Sequence, residues 1–173
     1  PESLKSLFRP IAVITPDVHE ISEIILLAEG FQNSKTLARK LYSIFSYFKD
    51  MLSKQAHYDW GMRAIKKMLN ISGLLLRGEP EFSEEQLLFR SIRDYYAPKI
   101  IEADEGVFLG ILHDIFPGVG IETKRNRELE SEVRESTIDR KLWPEDSFLQ
   151  NIVQLDEVMS LNQSTFILGG VGS

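Results

Sequence analysis

Three groups of residues in this sequence have the types and spacing to meet phosphate. The first is Gly169, Gly170, Val171, Gly172 and Ser173, a glycine-rich run preceded by the apolar, strand-like Ser164–Leu168. A strand entering such a run is the setting of a phosphate loop, G-x-x-x-x-G-K-[ST]. There, backbone N–H groups cradle phosphates, the Lys reaches the terminal ones and the hydroxyl holds Mg²⁺. With Gly169 as the first position, the four variable positions are filled and the Gly-Lys-Ser/Thr that must follow is not in the sequence. The same residues also read as a flexible glycine tail. The second is Arg63 in "HYDWGMRAIKKM", early in a predicted helix and just after a glycine. A guanidinium there can reach outward and bind phosphate bidentately, or can simply be a solvated helix arginine. The third is Arg9, between Phe8 and Pro10 beside a predicted strand. Held by the proline, it fits an arginine finger that stabilises charge in a neighbouring phosphoryl transfer, or an ion-pair partner for a carboxylate.

Other chemistries find little support. His19, His57 and His113 lack metal-ligand spacing, and no metal site is expected. The acidic runs "EADE" and "ESEVRES" read as solvated faces, and no Ser/His/Asp arrangement or G-x-S-x-G is present. The absence of cysteine excludes a disulfide framework and thiolate chemistry. A net charge of −6 argues against nucleic acid as a partner. The longest apolar run, Ile24–Ala28, is five residues, so no membrane span is expected. Residues that are 43% hydrophobic and 27% charged, in a chain of 173, are ordinary for a globular domain with a real core. The opening on Pro1 without an initiator Met reads as a piece of a longer chain.

The elements that must position these residues are mostly helical. "IAVIT" reads as a short buried strand closed by Pro16. Asp17 is a predicted N-cap with Glu20 three residues on, opening a helix with Val18, Ile21, Ile24, Ile25 and Ala28 on its inner face and Gly30 as C-cap. A second helix over Ser34–Ser53 carries apolar residues at 37, 41, 44, 45, 48, 51 and 52. A third, Asp59–Leu76, turns Met62, Ile65, Met68, Leu69 and Leu76 inward. Ser83 and Gln86 form a capping box, with Phe82 and Leu87 at the staple positions, for a fourth helix that stops near Ala97 ahead of Pro98. The fifth, Glu102–Ile115, presents Val107, Phe108, Ile111, Leu112 and Ile115. Residues 122–141 are mostly charged, with only Leu129, Val133 and Ile138 apolar. Pro144 suits the first position of a last helix with Phe148, Leu149, Ile152, Leu155 and Met159 on its face. The fold class expected is mainly α, with one lone strand at each end. Two isolated strands need partners from outside this sequence.

The landmarks "PESLKSLFRPIAVITPD", "HYDWGMRAIKKML", "FRSIRDYYAPKIIEAD", "ILHDIFPGV" and "GGVGS" resemble, in this order, those of dynein heavy chains, from the end of the first AAA+ module to the start of the second. The resemblance covers nearly the whole chain and is weakest over residues 120–143. It implies that 1–16 end the first module's large α/β subdomain and that 17–120 form its helical lid. Residues 121–142 would then be a charged connector, and 143–173 the start of the second module, cut within its Walker A loop.

It implies ATP or ADP with Mg²⁺ as cofactor in the longer chain, none held tightly by this piece, and an activity as an ATP-driven, minus-end-directed microtubule motor. Arg63 would be the lid's sensor arginine on the phosphates, Arg9 the arginine-finger candidate, and Gly169, Gly170, Val171, Gly172 and Ser173 the first part of the second module's phosphate loop. The implied partners are neighbouring AAA+ modules of the same chain, and microtubules and dynein intermediate and light chains through the longer protein. The implied setting is the cytoplasm and cytoskeleton, with the ciliary axoneme left open. Tyr95 and Tyr96 depart from the family's usual residues and leave Lys99 without an assigned role. The competing reading is a stand-alone helical interaction module without catalytic activity. It accounts for the helices but not for the lone strands or Arg9-Pro10.

Overall fold

The structure is a computed structural model that describes residues 4, 7–9, 11–14, 16–119, 127–161, 165–167 and 169. Its elements are helices: α1 Val18–Glu29, α2 Ser34–Met51, α3 Met62–Gly78, α4 Glu84–Tyr96, a 3₁₀ turn Ala97–Lys99, α5 Glu102–Ile115, α6 Arg127–Asp139 and α7 Asp146–Leu161. The mainly-α expectation stands. The flanking strands do not form: residues 11–14 and 165–167 carry no regular structure. An extended segment becomes a strand only when a neighbour takes its N–H and C=O groups, and no neighbouring strand exists among the described residues.

Local signals set both ends of α1 and the start of α4. The Asp17 carboxylate accepts the N–H groups of His19 at 2.8 Å and Glu20 at 3.4 Å. Gly30 closes α1 in the left-handed region at φ 104°, where its own N–H and that of Phe31 reach back to Leu27 and Leu26. The capping box is complete, with Gln86 N–H donating to Ser83 Oγ and Ser83 N–H donating to Gln86 Oε1. Neighbouring Glu84 works at longer range. Its two carboxylate oxygens accept the N–H groups of Gln32 at 2.7 Å and Asn33 at 3.0 Å, capping the α1–α2 turn that Asn33's side chain leaves uncapped. Lys40 pairs with Glu85 at 2.7 Å beside it.

Helices α1–α5 close one core. Leu26 and Phe31, Leu41 and Phe48, Ile65 and Met68, Phe89 and Ile92, and Phe108 and Leu112 are all buried there. The α1–α3 crossing is close, because Gly73 offers no side chain. A Cβ at that position would lie 2.8 Å from Cβ of Glu29, whose carboxylate pairs with Arg77 at 2.7 Å. Helices α6 and α7 pack on each other, and α7 also touches α4; Thr137, Leu149 and Val153 are buried at these contacts.

Several expected faces are corrected. In α1 the buried residues are Ser22 and Leu26, while Ile24 and Ala28 of the expected face lie out; the run of apolar residues around that helix gives periodicity no side to choose. Met51 and Val107 are exposed at the rims of their stripes. Helix α3 begins at Met62 instead of Asp59, and α7 at Asp146, two residues after Pro144. In α7 Phe148 and Met159 face outward and Val153 is buried.

Candidate functional site

Arg63 is the second residue of α3, exposed, and makes no ion pair among the described residues. Gly61 is the N-cap of the helix beneath it; no side chain caps the first turn and no acidic residue stands in that turn, while the Asp59 carboxylate just before it is taken up by the Gly61 N–H. A cation in the first turn opposes the helix dipole, and the free N–H groups beside it add to the positive field. An anion would complete both. Breaking a local rule in this way is expected where a ligand supplies the compensation.

The loop that delivers Arg63 is locked residue by residue. His57 Nε2 lies 2.9 Å from the Lys99 carbonyl oxygen, which can only accept, so Nε2 carries the proton. Tyr58 donates its hydroxyl to Asp104 Oδ2 at 2.9 Å and accepts the Ile101 N–H at 3.1 Å. The Asp59 carboxylate accepts the Gly61 N–H at 2.8 Å. Trp60 wedges into the aromatic cluster, its ring 5.1 Å from both Phe48 and Tyr96 and 5.5 Å from Tyr58. Asp104 also accepts the hydroxyl and the N–H of Ser53, at the end of α2. The Ser53 hydroxyl, helped by Tyr58 and the Ser53 amide against the opposing effect of burial, holds the Asp104 carboxyl below its ordinary value. Burial, with Asp104 alongside, pushes the Tyr58 phenol up.

Lys99 sits at the far side of this loop. Its ammonium lies 3.4 Å from the ring centre of Tyr95 and 5.4 Å from that of Tyr96. These faces favour the cation. Burial and the nearby charge of Lys67 disfavour it more, and lower its pKa to about 8. Its side chain also lines a cavity of about 610 Å³ whose walls include Tyr95, Phe148, Ile152, Leu155 and Phe166, between α4 and α7.

Of the residues singled out in the sequence, the structure gathers Arg63 with the "HYDWG" residues that support it. Arg9 is exposed in a stretch without regular structure, and no hydrogen bond or ion pair joins it to the Arg63 loop among the described residues. Gly169 is exposed without regular structure, and Gly170, Val171, Gly172 and Ser173 lie outside the described residues. Asp104 corrects the reading of "EADE" as a solvated face, since it is only 9% exposed. The available signal was its register: Asp104 shares a helical stripe with Phe108, Ile111 and Leu112. No group of three or more metal-ligating side chains occurs among the described residues, and no helix there is long and apolar enough to cross a membrane.

The described residues thus form a helical bundle in which Arg63, without an ion pair among them, stands on a helix start that no side chain caps. Over residues 1–173 the sequence matches the family described as the hydrolytic ATP binding site of the dynein motor region, and the chain belongs to that family. It is 46% identical to a ciliary dynein beta chain of Tripneustes gratilla and to human dynein axonemal heavy chain 9. It is 44% identical to the flagellar outer arm dynein alpha chain of Chlamydomonas reinhardtii. Each of these matches covers 100% of this chain and 4% of the relative, so the chain spans a small part of the length of the relatives it matches.

Proposed function

We propose that this chain is the helical lid of the first AAA+ module of a dynein heavy chain, together with the boundary to the second module. In this reading residues 1–16 end the first large subdomain, 17–120 are the lid, 121–142 connect, and 143–173 begin the second module. The longer protein is an ATP-driven, minus-end-directed microtubule motor. Its partners are its own neighbouring modules, microtubules, and intermediate and light chains. The ciliary, axonemal and flagellar names of the relatives favour an axonemal setting.

The observation that carries this reading is Arg63: exposed, without an ion-pair partner among the described residues, and standing on an uncapped helix start. Bound ATP with Mg²⁺ supplies a phosphate chain whose charge changes on hydrolysis. Arg63 is the residue of this chain that reads it, as a sensor arginine whose guanidinium has a partner only while phosphate is present. That differential contact ties the position of the lid to the nucleotide state, which the lid relays around the ring. Gly169–Ser173 form the first part of the second module's phosphate loop, and Arg9 serves as an arginine finger toward the preceding module.

The test is Arg63→Ala in the motor region of the heavy chain that carries this sequence. Losing a bidentate, charge-assisted contact should weaken nucleotide binding at the first module about tenfold or more. Wild-type affinity and ATPase rate in the variant would remove Arg63 from the nucleotide site and the sensor reading with it.

A further inference from the structure

We infer that Asp104 is a positioning residue for Arg63: through Ser53 and Tyr58 it holds the loop that presents the guanidinium to phosphate. The inference rests on the sensor reading above and extends it to a residue on a different helix. Three donors converge on one oxygen of this carboxylate, Oδ2: the Ser53 N–H at 3.2 Å, the Ser53 hydroxyl, and the Tyr58 hydroxyl at 2.9 Å. All three come from the segment between α2 and α3, whereas Asp104 belongs to the first turn of α5.

A carboxylate on the buried stripe of α5 is costly to desolvate, and an apolar residue there would serve packing better. What an apolar residue cannot do is hold both ends of that loop at one point. The Tyr58 hydroxyl continues the chain of bonds to the Ile101 N–H, and His57 ties the same loop to the Lys99 carbonyl. Between Tyr58 and Arg63 little slack remains, because Trp60 is wedged among Phe45, Phe48, Tyr58 and Tyr96, and Asp59 binds the Gly61 N–H. A shift at Tyr58 therefore reaches the start of α3, and a displacement of about 1 Å is enough to spoil a directional contact to a ligand.

The experiment measures the affinity of a fluorescent ADP analogue for the first module in the intact motor region. The variants are Arg63→Ala, Asp104→Asn, Tyr58→Phe and the double variant Arg63→Ala/Asp104→Asn. Asp104→Asn puts an amide where three donors converge, and Tyr58→Phe keeps the ring while removing one of them. Each should weaken binding about three- to tenfold, and the double variant should bind no more weakly than Arg63→Ala alone, since positioning an absent guanidinium changes nothing. If Asp104→Asn lowers the melting temperature so far that the module is not folded, Tyr58→Phe and Ser53→Ala carry the same comparison. Wild-type affinity in Asp104→Asn and Tyr58→Phe alongside a weakened Arg63→Ala would overturn the positioning role and leave the sensor reading standing. Losses that multiply in the double variant would also overturn it, by showing that Asp104 acts independently of Arg63. Wild-type affinity in Arg63→Ala would remove the sensor reading itself.

Discussion

Tyr96 carries its hydroxyl as well as its ring into the aromatic cluster. The ring lies 4.9 Å from Tyr95, 5.1 Å from Trp60 and 5.7 Å from Phe45, while the side chain is 2% exposed and its hydroxyl has no hydrogen-bond partner among the described residues. Burial pushes the phenol far above its ordinary value, as expected for a hydroxyl that cannot be left charged there. Tyr96→Phe keeps every ring contact and removes an unsatisfied polar atom, so it should leave stability unchanged or raise it by up to about 1 kcal/mol. Urea unfolding checks this, and a loss of about 1 kcal/mol would show that the hydroxyl has a partner after all. At this scale the sequence was only partly legible. Arg63 could be singled out because a cation beside a helix start is a local pattern. For Asp104 the register hinted only at burial, because its partners Ser53 and Tyr58 lie 51 and 46 residues away along the chain. Acidic neighbours at 102 and 105 made it look like part of a solvated face.

Among the elements, the α1–α3 crossing has no room for a side chain at Gly73. At Gly73 an added Cβ would lie 2.0 Å from Glu29 Oε2 and 2.8 Å from Glu29 Cβ; the carboxylate can swing away, but the Cβ cannot. Gly73→Ala should therefore destabilise the bundle by about 1 kcal/mol net: the overpacking cost exceeds the helix propensity regained. The loss should shrink in a Glu29→Gly background, and thermal unfolding of the single and double variants measures both. Helix existence, both ends of α1 and the start of α4 were readable, since Asp17, Gly30 and the Ser83–Gln86 box are chemical signals contained within a few residues. The start of α3, expected at Asp59, was not, because the packing of Trp60 against Phe48 and Tyr96 holds residues 59–61 in the loop. The inner face of α1 was equally hidden, for apolar residues surround it and only packing against α2 and α3 selects Leu26.

For the molecule as a whole, five helices share one core while α6 and α7 form a smaller unit against α4. The segments at 11–14 and 165–167 show how a strand signal in sequence can go unmet: alternation and β-branching describe a residue's fitness for a sheet, and the sheet itself needs partners. What knits the bundle across its length is Glu84, whose carboxylate holds the amides of Gln32 and Asn33, 52 and 51 residues earlier. Those two amides lie in a surface turn and would ordinarily be among the first to trade their hydrogens for deuterium. Here they stay shielded for as long as α4 stays docked, so they should exchange together with the interior of α4 and well after the other turn amides. In Glu84→Gln, where one of the two acceptors becomes a donor, their protection should fall at least tenfold while the amides within α2 keep theirs. Isotope labelling followed by mass spectrometry or NMR reads this directly; unchanged protection would mean the carboxylate is dispensable. One side chain thus makes the opening clock of the first turn keep the time of the fourth helix.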